Sequence, residues 1–240
     1  MSDKCSSPRK KAVIMAGGAG VRLRPYTFIL PKPLLPVGET TVLDHIVDCL
    51  RASGFGDVYI SVNYKAREFE GWLESRKADG MTVRLYKEPR KLGTAGSIGI
   101  IRGQLTEPFC VVNGDLIMNV PLDKMYLRHM ETNADVTIGI KGYQFTIPYA
   151  VVSKDGDGLL ETITEKPSYD FFINAGIYVL SQSVFKHIPE DDPLDMPELI
   201  DAVRKDGGRI YVYDIGERWL DIGRISDYEK AVELINQWKA

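Results

Sequence analysis

The run Gly17-Gly18-Ala19-Gly20-Val21-Arg22-Leu23-Arg24-Pro25, followed by Pro31-Lys32-Pro33, joins a glycine turn to two fixed cations, Arg22 and Lys32. Such residues suit a phosphate chain. Backbone N–H groups between Ala16 and Gly20 are free to face phosphate oxygens, and the cations neutralise charge. The turn follows the apolar run Ala12-Val13-Ile14-Met15-Ala16, which reads as a strand. It therefore falls at the carboxyl end of a strand, where open α/β sheets bind ligands. Cleaving a triphosphate is mostly a matter of positioning and charge neutralisation, which Arg22 and Lys32 could provide from a rigid scaffold. Two better-known glycine motifs do not fit. In G-x-G-x-x-G counted from Gly18, the third glycine position holds Leu23, and G-x-x-x-x-G-K-[S/T] is absent. Three glycines alone leave a bare turn equally open; the cations and prolines weigh against it.

Other residues could complete such a site. Phe109-Cys110-Val111-Val112 is a continuous apolar run, expected of a central strand, and it opens into Asn113-Gly114-Asp115. A carboxylate there is a natural Mg²⁺ ligand, and Mg²⁺ takes one or two protein carboxylates plus phosphate oxygens. Asp221, in Trp219-Leu220-Asp221-Ile222-Gly223, is the candidate second acid. Read alone, Asp115 is equally a cap or turn residue, and Asp221 equally a turn residue before a helix. Glu88-Pro89-Arg90-Lys91-Leu92-Gly93-Thr94-Ala95-Gly96 reads as a base-binding segment or as a capped helix start. Guanine offers two adjacent donors that the Glu88 carboxylate can accept together, whereas uracil and thymine suit an amide better. Leu92 would cover the ring, and Gly93 with Thr94 would let the backbone approach it. His45, His129 and His187 show no metal spacing, and no serine has the His and acid of a nucleophile.

The elements that must position these residues alternate between short β-rich runs and helical patterns, as in β-α-β units on a mostly parallel sheet. Strands are expected at 58–62, 83–86, 109–112, 136–140, 149–152, 159–165 and 177–180. A hairpin turn is expected at Asp155-Gly156-Asp157-Gly158. Helices are expected over 42–52, capped by Thr40 or Thr41, and over 68–76, 93–104, 195–205 and 225–238. The chain of 240 residues is long enough for one large α/β domain. Its net charge of −3 gives no general field for nucleic acid or membrane. Cys5, Cys49 and Cys110 lack CxxC spacing and read as reduced thiols, and no apolar run is long enough to span a membrane. A cytoplasmic protein is the expectation, with residues 1–10 disordered or tag-like and 11–240 a single domain.

The glycine run, Lys32, Asp115, Glu165-Lys166-Pro167, Asn174-Ala175-Gly176-Ile177-Tyr178 and Asp221 together resemble the sugar nucleotidyltransferases, in the family's order from Lys11 to about Ala231. The Glu88 to Gly96 segment is most similar to guanylyltransferases acting on mannose-type phosphates. The resemblance implies a three-layer α/β/α Rossmann-like fold. It also implies transfer of a nucleotidyl group, GMP from GTP on the Glu88 reading, to a sugar 1-phosphate with release of pyrophosphate. Ala16 to Gly20, Glu88, Leu92 to Thr94, Asn113 and Gly114 would hold the nucleotide, and Asp115 with Asp221 would hold Mg²⁺. Read from residues alone, Glu165-Lys166 is a solvated charge pair at a strand end. The resemblance implies instead that Glu165 and Asn174 bind sugar hydroxyls, Lys166 binds the sugar phosphate and Gly176 makes room. Tyr149-Ala150-Val151 departs from the family's usual Tyr-Gly-Val, and the added methyl of Ala150 would crowd the sugar or shift the backbone. A uridylyl- or thymidylyltransferase, a cytidylyltransferase for a non-sugar phosphate and a non-catalytic nucleotide-binding subunit are the alternatives. Homo-oligomerisation is left open.

Overall fold

The structure is a computed structural model describing residues 9–76 and 80–239. Most of the segment expected to be disordered lies outside the described residues, and Lys10 already pairs within the first strand. A central sheet contains β1 (Lys10–Met15), β2 (Phe55–Val62), β3 (Thr82–Lys87) and β4 (Phe109–Asn113). After a short β5 (Leu116–Met118) come β6 (Val136–Thr146), β7 (Val151–Lys154), β8 (Leu160–Thr164), β9 (Ser168–Leu180), β10 (Ile210–Asp214) and β11 (Trp219–Asp221). The order in the main sheet is β10-β6-β9-β4-β1-β2-β3, and only β9 runs antiparallel to its neighbours. The mixed, mostly parallel sheet is as expected.

Alternation along β1 shows why the sheet is covered twice. Ala12 and Ile14 pack to one side with α1 (Val42–Ala52), α2 (Ala66–Ser75), α4 (Leu122–Thr132) and α6 (Ile225–Lys239); Val13 packs to the other with α3 (Gly93–Gly99) and α5 (Met196–Lys205). Both faces of a parallel sheet must be buried, so its strands read as continuous apolar runs. Thr41 caps α1 as expected: its hydroxyl accepts the Asp44 N–H at 3.2 Å, and the Asp44 carboxylate accepts the Thr41 N–H at 2.9 Å. The helix expected over 93–104 stops at Gly99 and continues as a 3₁₀ turn at Arg102–Gln104, as befits a segment with glycine at 93, 96, 99 and 103. Sequence reading did not find α4, β5, β10 or β11.

The largest departure concerns β6 and β9. The strands expected at 136–140 and 177–180 are only the inner ends of a much longer antiparallel pair, in which Ser168 lies opposite Thr146 and Leu180 opposite Val136. The inner ends are buried and the outer ends project as an exposed two-stranded ribbon. Between them, β7 and β8 form the expected hairpin around Asp155 to Gly158. Among the described residues, no helix is long and apolar enough to cross a membrane.

Candidate functional site

The ends of β1 and β4 meet above the sheet: the Gly114 N–H donates to the Met15 carbonyl at 2.9 Å. The loop after β1 thereby shares one cavity of about 790 Å³ with the loop after β4. That volume is within the roughly 300–1,000 Å³ of small-molecule sites. Ala16, Gly17, Gly18, Gly20, Arg22 and Lys32 line it together with Asn113, Gly114 and Asp115 and with Glu88, Gly93 and Thr94. Ala19 is exposed on the same loop.

Lys32 starts a 3₁₀ turn after Pro31 and is 8% exposed. Its Nζ lies 2.5 Å from Asp115 Oδ2 and 3.7 Å from Asp221 Oδ1. Two carboxylates 106 positions apart converge because β11 pairs antiparallel with β5, and the Ile222 N–H donates to the Asp115 carbonyl at 3.0 Å. Asp115 Oδ1 and Asp221 Oδ1 are both buried without a hydrogen-bond donor. Burial first, then the neighbouring Asp115 charge, raise the Asp221 pKa, against the pull of Lys32 and Arg22. Among the described residues no group of three or more His, Cys, Asp and Glu gathers. Asp115 and Asp221 are a pair of oxygen donors with free buried lone pairs, the set that Mg²⁺ takes when substrate phosphates complete its shell. The residues therefore fit the cation.

Glu88 is buried at the end of β3, where Ser61 donates to its Oε1 at 2.9 Å and the Leu92 N–H approaches its Oε2 at 3.4 Å. A Cβ on Gly17 would come within 2.6 Å of Oε1, so glycine there lets the loop lie against this carboxylate. Each oxygen keeps a further lone pair. Leu92, expected to cover a base, is buried and does not line the cavity. A Cβ on Gly93 would sit 2.5 Å from the Leu194 carbonyl, so this glycine has a packing reason of its own.

The residues expected on the sugar side are arranged differently. Tyr149, Ala150, Glu165, Lys166 and Asn174 are exposed and outside the cavity lining. Tyr149, Ala150, Glu165 and Lys166 sit where the ribbon and hairpin join, the Ile147 N–H donating to the Pro167 carbonyl at 3.0 Å, whereas Asn174 lies at the inner end of the ribbon, opposite Ile140. Lys166 holds φ +44, a backbone conformation uncommon for a residue with a side chain. Gly176 at φ +69 connects this region to the cavity. Its N–H donates to Asn174 Oδ1 at 3.0 Å, and a Cβ on it would meet Asn113 Nδ2 at 2.4 Å. The Trp219 indole donates to the Ala175 carbonyl at 2.8 Å, tying β9 to the strand that carries Asp221.

Sequence reading missed one wall of the cavity, formed by Pro193, Leu194, Asp195 and Glu198 at the start of α5. Asp195 Oδ1 accepts the Thr94 N–H at 2.9 Å. The helix start at 195 was legible, but nothing local to it signals that it packs over Gly93.

Residues 11–237 match the family described as Nucleotidyl transferase. Among relatives, the catalytic subunit beta of mannose-1-phosphate guanylyltransferase from Danio rerio is 33% identical over 91% of this chain. UTP–glucose-1-phosphate uridylyltransferase from Synechocystis is 29% identical over 92% of it. The chain spans 62% of the length of each. The structure of HddC from Yersinia pseudotuberculosis complexed with GMP-PN superposes with a TM-score of 0.73 at 25% identity, covering 94% of this chain and 99% of that one.

Proposed function

The chain belongs to the nucleotidyl transferase family, and from that premise we propose that it transfers GMP from GTP to a sugar 1-phosphate, releasing pyrophosphate. The observation that carries the reading is the convergence of Lys32, Asp115 and Asp221 beside the glycine loop, with a buried oxygen on each aspartate that accepts no hydrogen bond. Asp115 and Asp221 would hold Mg²⁺, which when bound supplies charge neutralisation to phosphate oxygens.

The residues of the chain account for the rest. Backbone N–H groups of the Gly17 to Gly20 loop and the Arg22 guanidinium hold the β- and γ-phosphates, fixing the triphosphate for in-line attack. A sugar-phosphate oxygen bonds to the α-phosphorus as the bond from that phosphorus to the bridging oxygen breaks, and pyrophosphate leaves with the electron pair. Lys32 sits where charge between the phosphates develops. No general base is required, because a phosphate monoester is already an anion near neutral pH. Glu88 accepts from the guanine edge with its remaining lone pairs while Ser61 fixes its orientation. On the acceptor side, Glu165 and Asn174 bind sugar hydroxyls and Lys166 binds the phosphate, a role its unusual backbone supports.

The similarity to the Danio rerio guanylyltransferase subunit supports GTP, and that to the Synechocystis uridylyltransferase carries a second reading, uridylyl transfer to a hexose phosphate. Pyrophosphate release measured over a matrix of four nucleoside triphosphates and several sugar 1-phosphates separates them. GTP is expected to exceed UTP by at least tenfold in kcat/KM, and Glu88→Gln to narrow that ratio. Equal use of GTP and UTP overturns the base assignment, and no release with any pair overturns the reaction.

A further inference from the structure

The starts of α3 and α5 are tied to each other across 101 positions of sequence. By composition α3 is a poor helix: Gly93, Gly96 and Gly99 fall within its seven residues, and Leu92 before it has no side-chain oxygen to act as a cap. The first N–H groups of a helix have no partner within it, and here Leu194 and Asp195 supply acceptors. The Thr94 N–H donates to Asp195 Oδ1 at 2.9 Å, and the N–H groups of Ala95 and Gly96 both donate to the Leu194 carbonyl at 2.9 Å. The bonding runs both ways. The Leu194 N–H donates to the Leu92 carbonyl at 2.9 Å and the Met196 N–H to Thr94 Oγ1 at 2.7 Å, while the Thr94 hydroxyl donates to Asp195 Oδ1 at 3.3 Å. Glycine makes the approach possible: a Cβ on Gly93, at φ +76, would lie 2.8 Å from Asp195 Oδ1, and one on Gly96 3.3 Å from the Leu194 nitrogen.

We propose that Asp195 is a positioning residue for the nucleotide, holding the Gly93-Thr94 edge of the cavity against Glu88; this rests on the reading that the segment from Glu88 to Thr94 faces the base. That segment is fastened at its two ends. At one the Leu92 N–H approaches Glu88 Oε2 at 3.4 Å, and at the other Thr94 is held by Asp195. Pro89, Arg90 and Lys91 between them are exposed, so the fastenings rather than burial fix the loop. A carboxylate suits the task. One of its oxygens takes both the Thr94 N–H and the Thr94 hydroxyl, the bonds are charge-assisted, and its negative charge is favoured beside two helix N-termini. A second side-chain contact between the same two loops, Arg90 to Asp191 at 3.0 Å, joins exposed groups and contributes little. Ordering an edge on binding costs affinity, and the bonds from Asp195 remove that cost.

Calorimetric titration of the whole chain with GTP and Mg²⁺, without sugar phosphate, tests this. Asp195→Ala is expected to weaken GTP binding about tenfold, as loss of a charged acceptor does. Asp195→Asn keeps an acceptor oxygen and caps a helix as well as Asp does, so it should stay within about threefold of the unaltered chain. Asp191→Ala, on the same seam, should change nothing. In steady-state kinetics the loss in Asp195→Ala should fall on KM for GTP and leave KM for the sugar phosphate unmoved, a split that a general loss of packing does not give. A folded Asp195→Ala of unchanged affinity overturns the proposal. So does an Asp195→Asn as weak as Asp195→Ala, which would make the charge itself a ligand. Should Asp195→Ala lose its folded circular dichroism, Thr94→Val decides: it deletes the acceptor of the Met196 N–H, and folded it must weaken GTP binding by roughly threefold or more. Unchanged binding in that variant sinks the idea. The reaction can fail separately: GTP bound with no pyrophosphate released defeats nucleotidyl transfer and leaves Asp195 its role, and if UTP binds in place of GTP the same ratios are read with UTP. A chain that binds neither defeats both.

Discussion

The two halves of the proposed site are made in opposite ways. The proposed nucleotide half is built from the ends of buried parallel strands, and its cation and carboxylates lie together: Lys32 is 8% exposed and bonded to Asp115. The proposed sugar half sits on strand extensions that leave the core, and Glu165, Lys166, Asn174 and Tyr149 all face solvent. The difference teaches where rigidity is spent. Phosphoryl transfer depends on fixed charges, which a desolvated sheet end supplies, whereas recognition of an acceptor can be left to a projecting platform that varies without disturbing the sheet.

The sharpest break of that comparison is at Lys32. Lys32→Ala should lower turnover on the order of 10²–10³-fold, as loss of a preorganised charge does. Asp115 and Asp221 keep access to water, with side chains 28% and 46% exposed, so the melting temperature should fall only a few degrees. Pyrophosphate release beside a thermal melt reads both, and a folded variant of full activity removes Lys32 from the chemistry.

Gly176 is the joint between the halves. Gly176→Ala strains a backbone at φ +69 and drives a methyl into the Asn113 side chain. Roughly 1–3 kcal/mol of stability should be lost, and KM for both substrates should rise. A rise for the sugar phosphate alone would show the halves to be less connected than the Asn113 contact implies.

His129 tests the root of the ribbon. It is buried between Thr137 on β6 and Ser181 after β9, each 2.9 Å from a ring nitrogen, and burial pushes its pKa down to about 4. Because the fold favours the neutral ring, its contribution is fully present above the ordinary value of 6.5 and is lost as pH falls toward 4. By pH 5 about 2 kcal/mol should be gone. Urea midpoints at pH 7 and pH 5 measure this, and His129→Gln should flatten that part of the pH dependence.

What was legible in the sequence follows the same division. Buried strands declare themselves as apolar runs, so β1, β2 and β4 and the loops after β1 and β4 could be read, and with them the phosphate-side residues. The outer ends of β6 and β9 alternate polar and aromatic residues without a core to bury them, and reading stopped at Ile140. The wall at Asp195 and Glu198 depends on α5 packing over Gly93, about 100 positions away, which no local pattern encodes.

The smallest expected effect is the most pointed. Glu165 is an exposed carboxylate, and exposed charges contribute little to stability, about 0–1 kcal/mol. Glu165→Gln should leave the melting temperature where it was. A hydrogen bond from a sugar hydroxyl to a charged acceptor is worth roughly 1.5–3 kcal/mol, and the amide keeps one acceptor oxygen. KM for the sugar phosphate should therefore rise about tenfold, with KM for GTP unchanged. Steady-state kinetics with each substrate varied in turn separates the two constants. If neither moves, the exposed platform is not the acceptor side, and the sugar must be sought against the wall of Asp195 and Glu198, inside the rigid half.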